Sequence, residues 1–441
     1  MYDLLITGAD LLLCEGGQAE VLPRHDLAIV NGQIAAIAPQ ISPDLARERI
    51  MARGMLAMPG MINAHAHLAM GLFRGVAEDV PVETWFNHYI WPMEANLTAE
   101  DVYWGALLGL AELIEAGVTC VADHYFAMDQ IARAVAEAGL RANLAWTVFS
   151  GPEEQATLAR ASQFVEQWHG AADGRITAWF GPHSNYTCTP ALLAQVAQAA
   201  QRLGVGIHIH LAETADQVAQ SLAATGKTPI AVARDAGLFA VPALTAHVAH
   251  PTADDLAILA EHGVAVAVTP KTEMKMALGV APVITMREQG ITVALGSDGA
   301  ASNNSYEILE TARLLALLVK HTSGDARILP VGEALALATS AGAAALGLAD
   351  VTGALRVGLQ ADLVLLRRDA PHMQPVHNAP ASLLYSAHSS DVDTVIVAGR
   401  VLMRRRRLLT IDRRRVLREV RQRAARLTAR QQGQQVAHYP T

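Results

Sequence analysis

Cysteine is scarce in this chain of 441 residues: Cys14, Cys120 and Cys188 stand far apart and are odd in number. That excludes a disulfide framework and predicts a reducing compartment. Charge is sparse too. Charged residues make up 17% and hydrophobic residues 51%, which excludes a disordered chain and predicts a large buried core. The net charge is -8, and no strongly basic stretch precedes the C-terminus, so nucleic acid is excluded as a partner of the body of the protein. No apolar run reaches the roughly 18 residues of a membrane span. The first residues carry Asp3 and Asp10 and no basic segment, so they read as a strand and not as a signal peptide. The expectation is a cytoplasmic protein. Internal repeats and low-complexity tracts are missing as well, and no Gly-rich phosphate turn of the kind that opens a doubly wound sheet is present.

What the chain has is alternation. Residues 4–7, 26–30 and 32–37 read as short strands, with Asn31-Gly32 as a hairpin turn. From about residue 57 to 350 apolar strands alternate with longer amphipathic segments. The strands fall at 56–62, 118–123, 142–149, 176–182, 206–212, 243–248, 264–269 and 292–297. Helices are expected at 98–116, 127–138, 153–169, 189–203, 214–224, 228–237, 252–262 and 282–289, then at 304–321 and 331–346. This order predicts an α/β fold, a (β/α)8 TIM barrel. After residue 353 short strands resume at 361–366, 392–397 and 401–403, followed by a charged helix at 412–431. The two ends are expected to meet as one small composite β-sandwich domain, residues 1–55 and 353–441, into which the barrel, residues 56–352, is inserted. The basic run Arg404–Arg407 with Arg413–Arg415 reads as a solvated face.

Chemistry in such a barrel sits at the C-terminal ends of the strands, and there the polar residues recur. The first strand leaves through Pro59-Gly60-Met61-Ile62-Asn63-Ala64-His65-Ala66-His67. Alternate strand residues point the same way, so the two imidazoles can grip one cation. The fourth strand ends in Gly181-Pro182-His183-Ser184, the fifth in His208-Ile209-His210-Leu211-Ala212-Glu213, the sixth in His247-Val248-Ala249-His250, and the eighth in Ser297-Asp298-Gly299. Three neutral imidazoles and a carboxylate suit zinc or iron(II), and His65, His67 and His210 with Asp298 supply that set. Asp298 is placed to accept a proton from a water at the metal, Glu213 to donate one as general acid, and His247 to hydrogen-bond a developing tetrahedral centre.

The order P-G-x-x-[ND]-x-H-x-H, then H-x-x-E, then a strand-end His, then S/T-D-G resembles the amidohydrolase superfamily. Within it the chain is similar to the 5-methylthioadenosine/S-adenosylhomocysteine deaminase branch and its cytosine, guanine and triazine relatives. The local matches are Gly71-Leu72-Phe73-Arg74-Gly75-Val76-Ala77-Glu78-Asp79, Ile90-Trp91-Pro92-Met93-Glu94, Gly181-Pro182-His183-Ser184 and Ser297-Asp298-Gly299-Ala300-Ala301-Ser302-Asn303-Asn304. The resemblance implies a hydrolytic deaminase of an amino-substituted N-heterocycle, adenosine-type first, with guanine, pterin, cytosine or triazine substrates as the alternative. A catalytically silent barrel serving as a binding module is the remote one. It implies His65, His67, His210 and Asp298 as metal ligands, Glu213, His247 and Asp298 as catalytic residues, and Glu94, His183 and Ser302 as substrate contacts. It also implies one divalent ion, zinc first, with iron(II) and manganese suiting the same ligands, a small heterocyclic substrate as partner, and a homo-oligomer. His183 stands where two-metal relatives carry a lysine, which favours a single ion.

Two departures bear on substrate choice. Trp146 aligns with an arginine that meets the amino-acid tail of S-adenosylhomocysteine in relatives, so Trp146 is expected to cover a neutral group. The seventh strand ends in Val268-Thr269-Pro270-Lys271-Thr272-Glu273 where relatives read H-N-P-x-S-N, with Lys271 either a substrate contact or a rim charge. His208 is expected to point away from the partners of His210 or into packing, and His250 to serve a turn or support a ligand. Asp123 and His124 are expected either to support ligands or contact substrate, or simply to pack.

Overall fold

The computed structural model describes residues 1–428 and 435–439. The first five strands are β1 (Tyr2–Glu15), β2 (Gln18–Val30), β3 (Gln33–Ala38), β4 (Ala46–Met51) and β5 (Leu56–Pro59). Nine follow in the middle of the chain: β6 (Met61–His67), β7 (Val118–Tyr125), β8 (Arg141–Val148), β9 (Ile176–Pro182), β10 (Ile207–Leu211), β11 (Ala243–His247), β12 (Ala265–Val268), β13 (Val293–Leu295) and β14 (Asp298–Gly299). The last four are β15 (Leu363–Leu366), β16 (Val392–Val397), β17 (Arg400–Arg404) and β18 (Arg407–Leu408).

The middle strands form one curled parallel sheet in the order β13-β12-β11-β10-β9-β8-β7-β6-β14. Its two ends, β13 and β14, are consecutive in the chain, so the sheet closes on itself. Strands β6 and β7 are buried along their whole length, as expected of a parallel sheet covered by helices. Closure needs a close approach. A Cβ on Gly296 would lie 2.7 Å from the Cβ of His65, so only glycine lets the chain between β13 and β14 pass the first barrel strand. The helices fall within a few residues of their expected positions, from Ala99–Glu115 to Val283–Glu288. Threonines 98, 189, 214, 228 and 252 cap five of them through their side-chain oxygens.

The chain ends supply a second, mixed sheet, β18-β17-β16-β15-β5-β1-β2-β3 with β4 beside β1. It encloses its own apolar core of Leu4, Ile6, Leu27, Ile29, Ile50, Leu363 and Leu365. The hairpin turn is as expected, with Asn31 and Gly32 both at positive φ. The single strand expected at 56–62 is two. It splits at Gly60, β5 pairing in the small sheet and β6 in the barrel. A Cβ at Gly60 would meet the Thr119 hydroxyl at 2.0 Å, so the crossing between sheets also needs glycine. The helix expected at 331–346 breaks at Thr339, and the one at 304–321 begins at Ile308, because residues 302–304 turn back onto Gly299 and Ala300. The C-terminal helix spans Arg413–Thr428; the rest of the stretch expected to be helical, 429–431, lies outside the described residues.

A buried ion pair joins the two sheets. Arg141, at the start of β8, donates from Nε to Asp362 Oδ2 at 2.8 Å, and Asp362 Oδ1 accepts the Ala398 N–H at 2.7 Å. Their side chains are 3% and 0% exposed, so a charge left alone there has no water to turn to. Asp362→Asn is therefore expected to lower the free energy of unfolding by about 3–5 kcal/mol, read as a shift in the urea midpoint. Glu100→Gln, which removes the exposed partner of Arg423, should change it by less than about 1 kcal/mol.

Candidate active site

The pocket opens at the C-terminal end of the barrel strands. Its lining includes His67, Glu94, His124, His183, His210, Glu213, His247, Asp298 and Ser302. His65 and His67 leave β6 on one face, as the alternation of a strand requires. His210 ends β10, His247 ends β11, and β14 begins with Asp298 at positive φ.

Asp298 Oδ1 lies 3.2 Å from His67 Nε2 and 3.5 Å from His65 Nε2. His210 Nε2 lies 3.4 Å from His67 Nε2. Each ring is held from behind. His67 Nδ1 donates to the His124 carbonyl at 2.6 Å and His210 Nδ1 to the His183 carbonyl at 2.8 Å, which leaves both Nε2 atoms as bare acceptors in the neutral rings. His65 Nδ1 faces His208 Nε2 at 2.9 Å. His65 Nε2 is buried without a hydrogen-bond partner. Three ring nitrogens and a carboxylate thus converge on one spot, and with the rings neutral this ligand set fits a divalent cation. Among the described residues, His65, His67 and Asp298 form one of three groups whose ligand atoms all lie within 4.8 Å of one another.

The electrostatics agree. Burial holds His65 near 3 and keeps His210, His208 and His124 well below the usual imidazole value, helped by neighbouring rings. Burial would raise Asp298, but the adjoining His65 and His67 rings hold it well below the usual carboxylate range. Burial also opposes a charge on His67, yet Asp298 lifts that ring to about 9. A proton on His67 serves where a cation would.

The other predicted residues separate into two groups. Glu213 Oε1 lies 3.8 Å from His247 Nε2, and Gln217 Nε2 donates to Glu213 Oε2 at 3.1 Å. His247 Nδ1 is 2.9 Å from the Thr269 hydroxyl, which in turn donates to Glu273 at 3.4 Å. The end of the seventh strand thereby supports His247. Glu94 is buried and accepts from the Tyr125 hydroxyl at 2.6 Å. Ser302 donates to Asp298 Oδ2 at 2.6 Å, so it braces a predicted ligand as well as lining the pocket. His183 lines the pocket and packs on Phe149.

Trp146 is not brought to the pocket. It packs on Phe164 of the helix Glu154–Trp168, while Thr147 and Phe149 face inward, because alternate residues of β8 face opposite sides. Lys271 is not free for substrate either: it pairs with Glu310 at 2.7 Å and Ser305 at 3.0 Å. His208, expected to point away from the partners of His210 or into packing, is buried and faces His65 Nδ1. The same i, i+2 rule that pairs His65 with His67 puts His208 and His210 on one face, and that signal was in the sequence. Asp123 supports the site by accepting the Leu68 N–H at 2.7 Å. His250 caps a turn, donating its N–H to the Ala212 carbonyl. Sequence reasoning missed the pocket wall at 82–91, which includes the π-helical turn Trp85–Ile90, and it missed Tyr439.

Comparison with known proteins follows the same line. The family described as "Amidohydrolase family" matches residues 56–402. The chain is 48% identical over 406 residues to the 5-methylthioadenosine/S-adenosylhomocysteine deaminase of Desulforudis audaxviator, covering 91% of this chain and 94% of that protein. It is 44% identical to the protein of the same name from Pelotomaculum thermopropionicum, covering 98% and 100%. An adenosine deaminase of Xanthomonas campestris with bound zinc superposes with a TM-score of 0.92 at 33% identity, over 97% of this chain and 98% of that one.

A metal-free preparation tests the electrostatics. With His67 protonated below about 9, loading with a divalent ion at pH 7 should release about one proton per chain as metal and proton compete. Potentiometric titration in weak buffer should show that release, and affinity should fall as the pH is lowered further.

Proposed function

The chain belongs to the amidohydrolase family, and from that premise we propose that it is a metal-dependent hydrolytic deaminase of adenosine-type N-heterocycles, releasing ammonia. The observation that carries the reading is the convergence of His65, His67, His210 and Asp298 beside Glu213 and His247 on the floor of one pocket. Those four residues would hold the ion, with zinc first. A divalent ion there supplies Lewis-acid activation of a water molecule. Asp298 accepts the proton that the attacking water gives up and passes it to the amine, which leaves as ammonia. Glu213 donates a proton to the ring nitrogen beside the carbon under attack, so that the ring's electrons have somewhere to go. His247, fixed through Thr269, hydrogen-bonds the oxygen of the tetrahedral adduct. Glu94 accepts sugar hydroxyls.

Substrate choice follows from the pocket mouth. The lining there is apolar: Val82, Trp85, Phe86, Phe126, Phe149, Met276 and Leu278. No lysine or arginine lines the pocket among the described residues, and Lys271, Lys275 and Arg74 are each engaged by a carboxylate. A carboxylate tail entering such a pocket would be desolvated without a partner. Methylthioadenosine or adenosine should therefore exceed S-adenosylhomocysteine in kcat/KM by at least about tenfold, roughly 1.4 kcal/mol. Ammonia release across purines, pterins and triazines tests the class, and equal rates on the carboxylate-bearing substrate would refute the mouth argument.

Two further outcomes test the roles. Glu213→Gln should retain its metal while kcat falls by roughly 10²–10⁴. Glu94 is pushed up to about 7 by burial, against the opposing bond from Tyr125. Ionised Glu94 accepts hydroxyls better, so KM for a ribose-bearing substrate should rise as the pH falls below about 7. Tyr125→Phe removes the bond that favours the charged form and should move that inflection to higher pH.

A further inference from the structure

We propose that Tyr439 is a positioning residue for Glu213, tying the proton-transfer side of the pocket to the wall formed by residues 81–94; the inference rests on the reading of Glu213 as the proton donor. Tyr439 is remote in sequence from its partners Phe86, Asn87 and Thr214, yet it is 1% exposed. Its hydroxyl lies 2.8 Å from the hydroxyl of Thr214, 225 positions away. Thr214 caps the helix Ala215–Thr225 by accepting the Gln217 N–H at 3.1 Å. Gln217 in turn grips Glu213 twice. Its Nε2 donates to Glu213 Oε2 at 3.1 Å, and its Oε1 accepts the Glu213 N–H at 3.3 Å. That leaves Oε1 of Glu213 facing His247.

The other side of Tyr439 holds the opposite wall. Its N–H donates to Asn87 Oδ1 at 2.9 Å, and Asn87 Nδ2 donates back to the Tyr439 carbonyl at 3.0 Å. The Tyr439 ring stacks on Phe86, a pocket-lining residue, with centroids 5.3 Å apart and planes 10° apart. Every side chain in the path from Asn87 through Tyr439, Thr214 and Gln217 to Glu213 is buried. Hydrogen bonds in such a setting are strong and hold one geometry. A helix turn alone would fix Gln217 only at its backbone, whereas the Tyr439 hydroxyl ties the cap itself to the facing wall.

Tyr439→Phe tests this, because it keeps the ring stack and both backbone bonds and removes only the hydroxyl. The expected result is a fall in kcat of about tenfold, in keeping with the sensitivity of catalysis to small misplacements, with KM and metal content unchanged. In a Glu213→Gln background the same substitution should have no further effect. Thr214→Val should reproduce the loss and Thr214→Ser should restore wild-type kcat, a pair that decides the matter even if Tyr439→Phe folds poorly. Wild-type kcat in Tyr439→Phe and Thr214→Val would overturn the proposal, as would an equal loss with and without Glu213. If Glu213→Gln itself keeps wild-type turnover, the reading of Glu213 fails, and that is seen in the single variant before Tyr439 is changed.

Discussion

Everything at the pocket floor depends on one contact, the Asp298 carboxylate set against the ring nitrogens of His65 and His67. The contact exists because the barrel closes there. β14 pairs with β6 through Asp298 and Ala66, and through Gly299 and His67, and Gly296 lets the chain come within van der Waals range of His65. A buried carboxylate is costly unless positive charge or donors meet it. Here Ser302 donates one hydrogen bond, and the other facing groups are imidazoles that burial keeps neutral, apart from His67. The closure of the sheet thus creates a demand for a cation, and the fold and the chemistry cannot be separated at this point.

The rings around that contact are held by groups that belong to neighbouring strands. The carbonyls of His124 and His183, the His208 ring and the Ser302 hydroxyl each fix one ligand orientation. The arrangement uses backbone carbonyls where β7 and β9 end, so the orientation of His67 and His210 is set by strand register and not by side chains that could move. His247 is different. It rests on the side chains of Thr269 and Glu273, after β12, and not on a strand-end carbonyl.

Legibility in the sequence followed this division. Groups at strand ends were legible, because a parallel barrel delivers residues at one end and alternation decides which of them face inward. The same rule, applied strictly, places Trp146 outside, since Thr147 and Phe149 face the pocket, and it places His208 beside His210. Both placements follow from alternation along β8 and β10, so that signal was present in the sequence. The split at Gly60 was not legible, because it depends on Thr119 pressing against a residue nearly sixty positions away. Nor was Tyr439, whose contacts span 225 and 352 positions and follow no periodicity. The π-helical wall at Trp85–Ile90 has no hydrophobic period of its own to announce it.

The mouth of the pocket extends the argument from structure to selection. The chain carries a net charge of -8, so its field discourages anionic ligands before any contact is made. Nearby cations could offset this locally, but each is taken: Lys271 by Glu310, Lys275 by Glu78, Arg74 by Glu112. The same side chains staple the loop after the first barrel strand, the end of the helix after the seventh and the segment near residue 304 to one another. Freeing one of them to bind a carboxylate would loosen the rim that shapes the apolar opening. Rim rigidity and preference for a neutral substituent therefore come from the same ion pairs, and a variant selected to accept a charged tail would need a new cation placed on the apolar wall, at a position such as Phe149, and not the release of an existing one.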